Sequence, residues 1–219
     1  MTSIGPRAFY DCNNLSSVKL PDSIINIADG AFAFCDKIES VTLPDTVTSI
    51  EPWTFGGCSS LTSINIPNNV TSIGSNAFTG CYNLTSISLP PNISYIGSSA
   101  FYNCKKITNV TIPNTVSKIE SDAFALCFGF TSIDIPDNVL SIGHGAFQNC
   151  LNVTNVNLPS SLTEIEYDAF RFNYKITSIV FMGSKEQWAA ISKGDNWKNG
   201  ISTSCIVHCT DGDIPIIDA

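Results

Sequence analysis

One interval governs this chain. Phenylalanine returns every 23 residues, at Phe9, Phe32, Phe55, Phe78, Phe101, Phe124, Phe147 and Phe170. Cysteine keeps the same step from Cys12 to Cys150, and proline keeps it from Pro21 to Pro159. A length of 219 residues would otherwise suggest one or two globular domains. A fixed period in this range instead means an elongated array, in which each unit buries its apolar face only against its neighbours.

The unit reads L-x-x-I-x-I-P-x-x-V-x-x-I-G-x-x-A-F-x-x-C-x-x. Within it the pairs Val18/Leu20, Val41/Leu43, Ile64/Ile66, Ile87/Leu89, Val110/Ile112, Ile133/Ile135, Val156/Leu158 and Ile179/Phe181 alternate with polar residues, as in a strand with one buried face. Proline follows each pair up to Leu158 and ends the strand, because it cannot extend a hydrogen-bond ladder. A second apolar pair, such as Val70 and Ile73, returns the chain to the next unit. The Ala-Phe pair, with Cys three residues on, suits one turn of α- or 3₁₀-helix with Phe and Cys facing inward.

The predicted fold is a β-rich α/β-type leucine-rich-repeat solenoid. It is a right-handed superhelix with a parallel sheet on the concave face and short turns or 3₁₀/helical pieces on the convex face. About eight coils at roughly 4.8 Å each give a rod near 40 Å long. The array is assigned to residues 1–181 and a C-terminal cap to 182–219. At the boundary Met182 stands where proline is due, and Asn173 replaces the eighth cysteine. Ser184 and Gln187 have capping-box spacing, which predicts a short helix over Lys185 to Ile191 with Trp188 and Ile191 on one face. Ile201 to Cys209 reads as a strand, and Ile214 to Ala219 as a frayed tail. Thr2-Ser3-Ile4-Gly5 copies the middle of a repeat, so the reading gives the array no N-terminal cap. It expects an open sheet edge there, capable of end-to-end self-association.

Several function classes are excluded by composition. The net charge of −8 lacks the basic surface that nucleic-acid binding needs. No run of about 18 apolar residues offers a membrane span. Nine cysteines resemble a disulfide framework. Seven of them share one repeat position, however, and ladder neighbours near 5 Å apart are too distant for the usual Cβ spacing of a disulfide. Free buried thiols acting as small hydrophobes are the expectation.

At this point the residues resemble a known family. The Ile-Gly-x-x-Ala-Phe-x-x-Cys core, the segment Phe181 to Trp188 and the ending Val207-His208-Cys209-Thr210-Asp211-Gly212 are similar to BspA-like leucine-rich-repeat proteins. The resemblance covers nearly the whole chain. It implies a non-enzymatic adhesion or protein-interaction module of a cell-surface or secreted protein. Such a module would bind host or matrix proteins or glycans through the solenoid surface, and the resemblance supplies no catalytic residues. A structural spacer carrying another domain is the alternative. The extracellular location rests on the resemblance alone.

The candidate binding residues are the outward strand positions Lys19, Thr42, Asn65, Ser88, Thr111, Asp134 and Asn157, with Val180 ending the row. Concave faces of solenoids commonly bind extended partners. Short polar side chains also simply suit a crowded parallel sheet, and both readings stand. From Pro52 to Cys104 the chain has no charged residue or histidine. That belt, with Tyr82, Tyr95 and Tyr102, has the composition of an adaptable binding surface, of a Ser/Thr lattice that orders water as in ice-binding solenoids, or of a neutral surface. His144, between Gly143 and Gly145, reads as a solvated loop residue. His208 falls on the strand face opposite Cys205 and Cys209, so a metal site is not expected and the cysteines read as a buried pair or a cap disulfide. No phosphate loop or nucleophile motif occurs, and neither cofactor nor metal is expected. The sequons at Asn14, Asn69, Asn83, Asn92, Asn109 and Asn152 follow from a sequence rich in Asn, Ser and Thr.

Overall fold

The computed structural model describes residues 1–219. The chain winds as a β-solenoid whose coils stack in strict register, each step advancing 23 residues through the array. Coil one runs from Ile4 and coil two from Ile27, each later coil beginning on the corresponding isoleucine. One column of parallel strands stacks Ser17–Lys19, Ser40–Thr42, Ser63–Asn65 and Ser86–Ile87 in coils one to four. The column resumes with Ser132–Asp134, Asn155–Leu158 and Ser178–Phe181 in coils six to eight. Alternation decides which way each side chain points: Val41, Ile64, Ile133, Val156 and Ile179 are buried, while their polar neighbours face outward. A second column of two-residue strands starts each coil, among them Ser49–Ile50, Ser72–Ile73 and Tyr95–Ile96.

Of the turn or helical pieces expected after this second column, the structure builds turns throughout. The reason is a pair of left-handed residues in every coil. Arg7, Gly30, Trp53, Asn76, Ser99, Asp122, Gly145 and Asp168 form one column at φ between 54° and 61°. Asp11, Phe34, Gly57, Gly80, Asn103, Leu126, Asn149 and Phe172 form a second, four residues on, at φ between 58° and 77°. A helix cannot pass through such residues. Backbone N–H groups here alternate between a turn partner three residues back and a carbonyl of the next coil. Ala31 and Ala33 donate to Ala28 and Gly30, whereas Gly30, Phe32 and Phe34 donate to Pro52, Thr54 and Gly56. The turn face is therefore a third hydrogen-bonded ladder, and its backbone groups are satisfied coil to coil.

Between the three faces lies one continuous apolar core. The Phe rings stack nearly parallel from Phe9 to Phe170, with centroids 5.1 to 5.7 Å apart. Each inner ring is buried by the rings of the coils before and after it, so no coil owns a core of its own. The nine cysteines are all free thiols. Cys35 to Cys150 are buried in a column beside the rings.

The coil after Phe181 is longer and contains a true helix, Lys185–Ala190, closed by the expected capping box of Ser184 and Gln187. Trp188 meets Phe181 and Trp197 edge-on, at 5.3 and 6.0 Å. Trp197 takes the ring position above Phe170, edge-on at 6.3 Å. The turn ladder continues into this coil, since Phe170 and Phe172 donate to Trp197 and Asn199. Two expectations are corrected here. The last parallel strand covers only Ile206–Cys209, not Ile201 to Cys209. The supposed frayed tail is ordered: Gly212–Pro215 pairs antiparallel with Ile206–Cys209, and a 3₁₀ turn, Ile216–Asp218, buries Ile216. A hairpin over the last strand edge gives these backbone groups partners, and Lys198 Nζ holds the Ile216 and Ala219 carbonyls.

The strand columns are not continuous. Asn109 to Ile112 in coil five forms no strand and donates no backbone hydrogen bond, and Tyr95–Ile96 does not pair with Lys118–Ile119. The turn ladder crosses the same junction intact, through Ser99, Phe101 and Asn103 donating to Ser121, Ala123 and Ala125. Next to the gap, Phe130 occupies the position held elsewhere by Leu, Ile or Val. It packs against Phe124 at 6.1 Å beside a cavity of about 20 Å³ reaching Val110, Ile133 and Phe147. The aromatic ring in an aliphatic slot thus lies beside the opening in the strand face, while the turn face stays closed.

Candidate functional site

Register, not sequence proximity, assembles the candidate row. Lys19, Thr42 and Asn65 are direct partners across neighbouring strands, and Asp134, Asn157 and Val180 are partners in the second block. The candidate residues are exposed except Asn157, which donates a hydrogen bond to Asp134, and Val180 at the end of the row, both half-buried. Ser88 and Thr111 fall outside any strand, so the interruption at coil five divides the row. Shallow grooves flank each block. One of about 540 Å³ lies along Lys19, Asp22, Thr42, Asp45 and Asn65, and one of about 420 Å³ along Thr111, Asn114 and Asp134. His208 extends the row by one rung, opposite Val180, with Nδ1 2.9 Å from the Asp213 carboxylate. The sequence reading placed His208 on the outward face but missed its alignment with the row. The longer last coil breaks the 23-residue step that would have revealed it.

Much of the polar repeat chemistry bonds to the neighbouring coil at the solvent-exposed surface. Thr62 and Thr85 hydroxyls donate to the carbonyls of Glu39 and Thr62, and Thr154 and Thr163 donate to those of Thr131 and Leu140. Asn69, Asn83, Asn92, Asn138 and Asn152 amides donate to carbonyls of the coil before. These side chains staple coils together, which accounts for a composition rich in Asn and Thr. The three tyrosines of the uncharged belt are not one set: Tyr95 is in the second strand column, whereas Tyr82 and Tyr102 lie in turns on either side of Gly80.

His144 is half-buried, not fully solvated. Its ring stacks on Tyr167 at 3.8 Å, and its backbone N–H donates to Glu166. Glu166 also lies 3.3 Å from Lys118, which Glu120 approaches at 3.7 Å. Partial burial works against the Lys118 charge, but the two carboxylates outweigh it and raise the pKa. The Cys205 thiol is buried and pushed up to about 11, and Cys209 is half-buried and raised by desolvation. Thiols held protonated in this way are weak metal ligands and weak nucleophiles.

A second exposed feature lies on the turn face of coils one to three. Tyr10, Phe34 and Trp53 are exposed and lie side by side, 5.4 and 6.0 Å between successive ring centroids. The sequence reading missed it. The available signal was in the repeat alignment, where Phe34 and Trp53 occupy columns otherwise filled largely by Gly, Asn, Asp or Ser. No helix of the protein is long and apolar enough to cross a membrane.

The fold and its sequence match known proteins. The model of the BspA type leucine rich repeat region (6 copies) matches residues 2–128 and 117–191. A leucine-rich repeat protein from Bacteroides ovatus is similar at 27% identity and a TM-score of 0.79, over 96% of this chain and 59% of that one. This chain therefore spans about three-fifths of that relative. The leucine-rich repeat protein of T. pallidum is 30% identical with a TM-score of 0.65, over 69% of this chain and 71% of that one. A leucine rich cell surface protein from Faecalibacterium prausnitzii is 26% identical with a TM-score of 0.54, over 87% and 72%. Among curated proteins, no sequence matches.

Proposed function

Because this chain belongs to the BspA-type leucine-rich repeat family, we propose that it is a non-catalytic adhesion or interaction module of a bacterial surface or secreted protein, binding an extended protein partner along its strand face. The observation that carries this reading is the outward row from Lys19 to Asn157. The row places one outward side chain per coil in two strand-paired blocks, Lys19 to Asn65 and Asp134 to Asn157, above a buried face. An extended partner meeting that row contacts successive coils with successive residues, so affinity accumulates from many weak contacts. Surface location is supported by the cell-surface description of the Faecalibacterium relative. The alternative, a spacer holding another domain at a distance, draws on the turn ladder, which runs unbroken from coil one into the last coil.

The test is biolayer interferometry of the chain against immobilised fibronectin, laminin and collagen. Its companion is a triple variant, Thr42→Glu, Asn65→Glu and Ser88→Glu. Loss of binding in the variant at unchanged melting temperature supports the strand face as the site. Equal binding by both proteins moves the site elsewhere, and no binding by either favours the spacer.

A further inference from the structure

We propose that Tyr10, Phe34 and Trp53, with Arg7 and Asp29 at the rim, form a carbohydrate-binding groove that stacks the C–H face of a neutral sugar ring. The groove has a volume of about 320 Å³ and is lined by these residues with Gly30 and Ala33. Two of its rings are built in against local preference. Phe34 and Trp53 have φ of 59° and 58°, the left-handed conformation that these two columns take in every coil and that bulky side chains rarely adopt. Both rings lie flat on the backbone of coil three. A Cβ on Gly57 would come within 2.5 Å of the Phe34 ring, and one on Gly56 within 2.6 Å of the Trp53 ring. Consecutive glycines thus seat the rings, which leaves Phe34 38% and Trp53 37% exposed. The Phe34 and Trp53 planes differ by 28° with centroids 6.0 Å apart, and Tyr10 stands edge-on to Phe34 at 68°.

The occupant follows from what the groove offers. Backbone groups around it are already used coil to coil: Arg7, Gly30, Phe34, Trp53 and Gly57 donate to Asp29, Pro52, Gly56, Ser75 and Thr79. The carbonyls of Pro6, Ala8 and Tyr10, at the outer end of coil one, form an unpaired edge. At the Phe34 and Trp53 rings in coils two and three, however, the N–H groups are already taken and offer a peptide no strand to extend. Recognition is left to flat π-faces and to two charged side chains. The Arg7 guanidinium rests over the Tyr10 ring at 5.8 Å, and neither Arg7 nor Asp29 has an ion pair or side-chain hydrogen bond to another protein group. A sugar ring is complementary to this set. Its C–H face meets the rings, whose π-faces carry negative charge density, and its hydroxyls meet one donor group and one acceptor group at the rim. A net charge of −8 selects neutral over acidic glycans. This groove is on the turn face, so it stands or falls independently of the strand-face reading.

The experiment is affinity electrophoresis of the intact chain in gels containing β-glucan, mannan or xylan, with tryptophan emission as a second readout. Trp188 and Trp197 are buried, so a ligand-dependent shift in emission reports Trp53. The decisive variant is Phe34→Gly with Trp53→Asn, residue types that other coils carry in these columns. Retardation of the wild type by at least one polysaccharide is expected, with affinity falling roughly tenfold per ring removed. The variant should keep or raise its melting temperature, because the strained side chains are gone. Absence of retardation in all three gels overturns the proposal, as does retardation that survives in the double variant. Should the variant melt lower, Asp29→Asn decides: weakened retardation supports the groove, and unchanged retardation overturns it.

Discussion

The Cys104 thiol donates to the carbonyl oxygen of Phe78, 3.1 Å away in the preceding coil. Cys58, Cys81, Cys127 and Cys150 repeat the contact with Phe32, Phe55, Phe101 and Phe124 at 3.1 to 3.3 Å. Cysteine at this position is thus a small apolar filler that also meets a spare acceptor on the coil behind it.

Asn173 breaks this column and exposes its logic. Its amide nitrogen donates to both Phe147 and Phe170, at 2.8 Å each, but its Oδ1 is buried without a partner. Asn173→Cys should restore the column, remove the orphan acceptor and stabilise the chain by about 1 kcal/mol. Urea denaturation of the two proteins measures this. A lower midpoint in the variant would mean that the two amide bonds outweigh the orphan oxygen.

The same column makes the protein sensitive to alkali. Burial raises Cys58, Cys104 and Cys150 from 9.0 to about 12, and raises Cys81 and Cys127 as well. A folded-state pKa above the unfolded one gives stability that is fully present below pH 9 and is lost as pH rises toward 12. At pH 10.5 the loss is about 2 kcal/mol per thiol. Melting temperature should be flat from pH 7 to 8.5 and fall steeply above 9.5, and Cys104→Ala should blunt the fall. A thiol-reactive chromogen at pH 8 should modify only the half-buried Cys12 and Cys209 until the chain is unfolded.

The limits of sequence reading follow from what repeats and what does not. Phe101 and Cys104 declare themselves by period alone, and Ser184 with Gln187 by a local rule, so core, strand faces and cap helix were legible. The turn ladder was not, because Ala-Phe-x-x-Cys fits one helical turn as well as it fits linked reverse turns. The left-handed residues that decide the matter are as varied as Trp53, Asn76 and Ser99. The ordered tail was missed because its evidence is long-range: Ile216 is buried only once Gly212–Pro215 folds back on Ile206–Cys209. The candidate row was legible as a row, but its division at coil five, beside the Phe130 ring, was not, because the pattern at that position asks only for an apolar residue.

That division predicts uneven dynamics. Amides of Asn109 to Ile112 have no backbone acceptor, whereas Phe101 and Asn103 on the turn face of the same coil donate at 2.8 Å. Hydrogen exchange should be fast at the former and slow at the latter. Phe130→Leu should narrow the gap and slow exchange at Val110 and Thr111. Equal protection of Asn109 to Ile112 and of Ser63–Asn65 in the unchanged protein would show that the strand face is closed in solution.

Leu126 offers the cleanest test of the left-handed columns. Its φ of 60° matches Gly57, Gly80, Asn103 and Asn149 at equivalent positions, yet it carries a branched apolar side chain that is only half-buried. A non-glycine residue held here costs about 1–2 kcal/mol, and asparagine relieves part of that by tolerating the conformation. Leu126→Asn should therefore stabilise the chain by about 1 kcal/mol, read as a higher urea midpoint. Leu126→Ala separates strain from packing, since it keeps a Cβ in the same conformation while removing the rest of the side chain. Destabilisation by Ala with stabilisation by Asn would assign the effect to the backbone. Destabilisation by both would show that the Leu126 side chain contributes more packing than the strain removes.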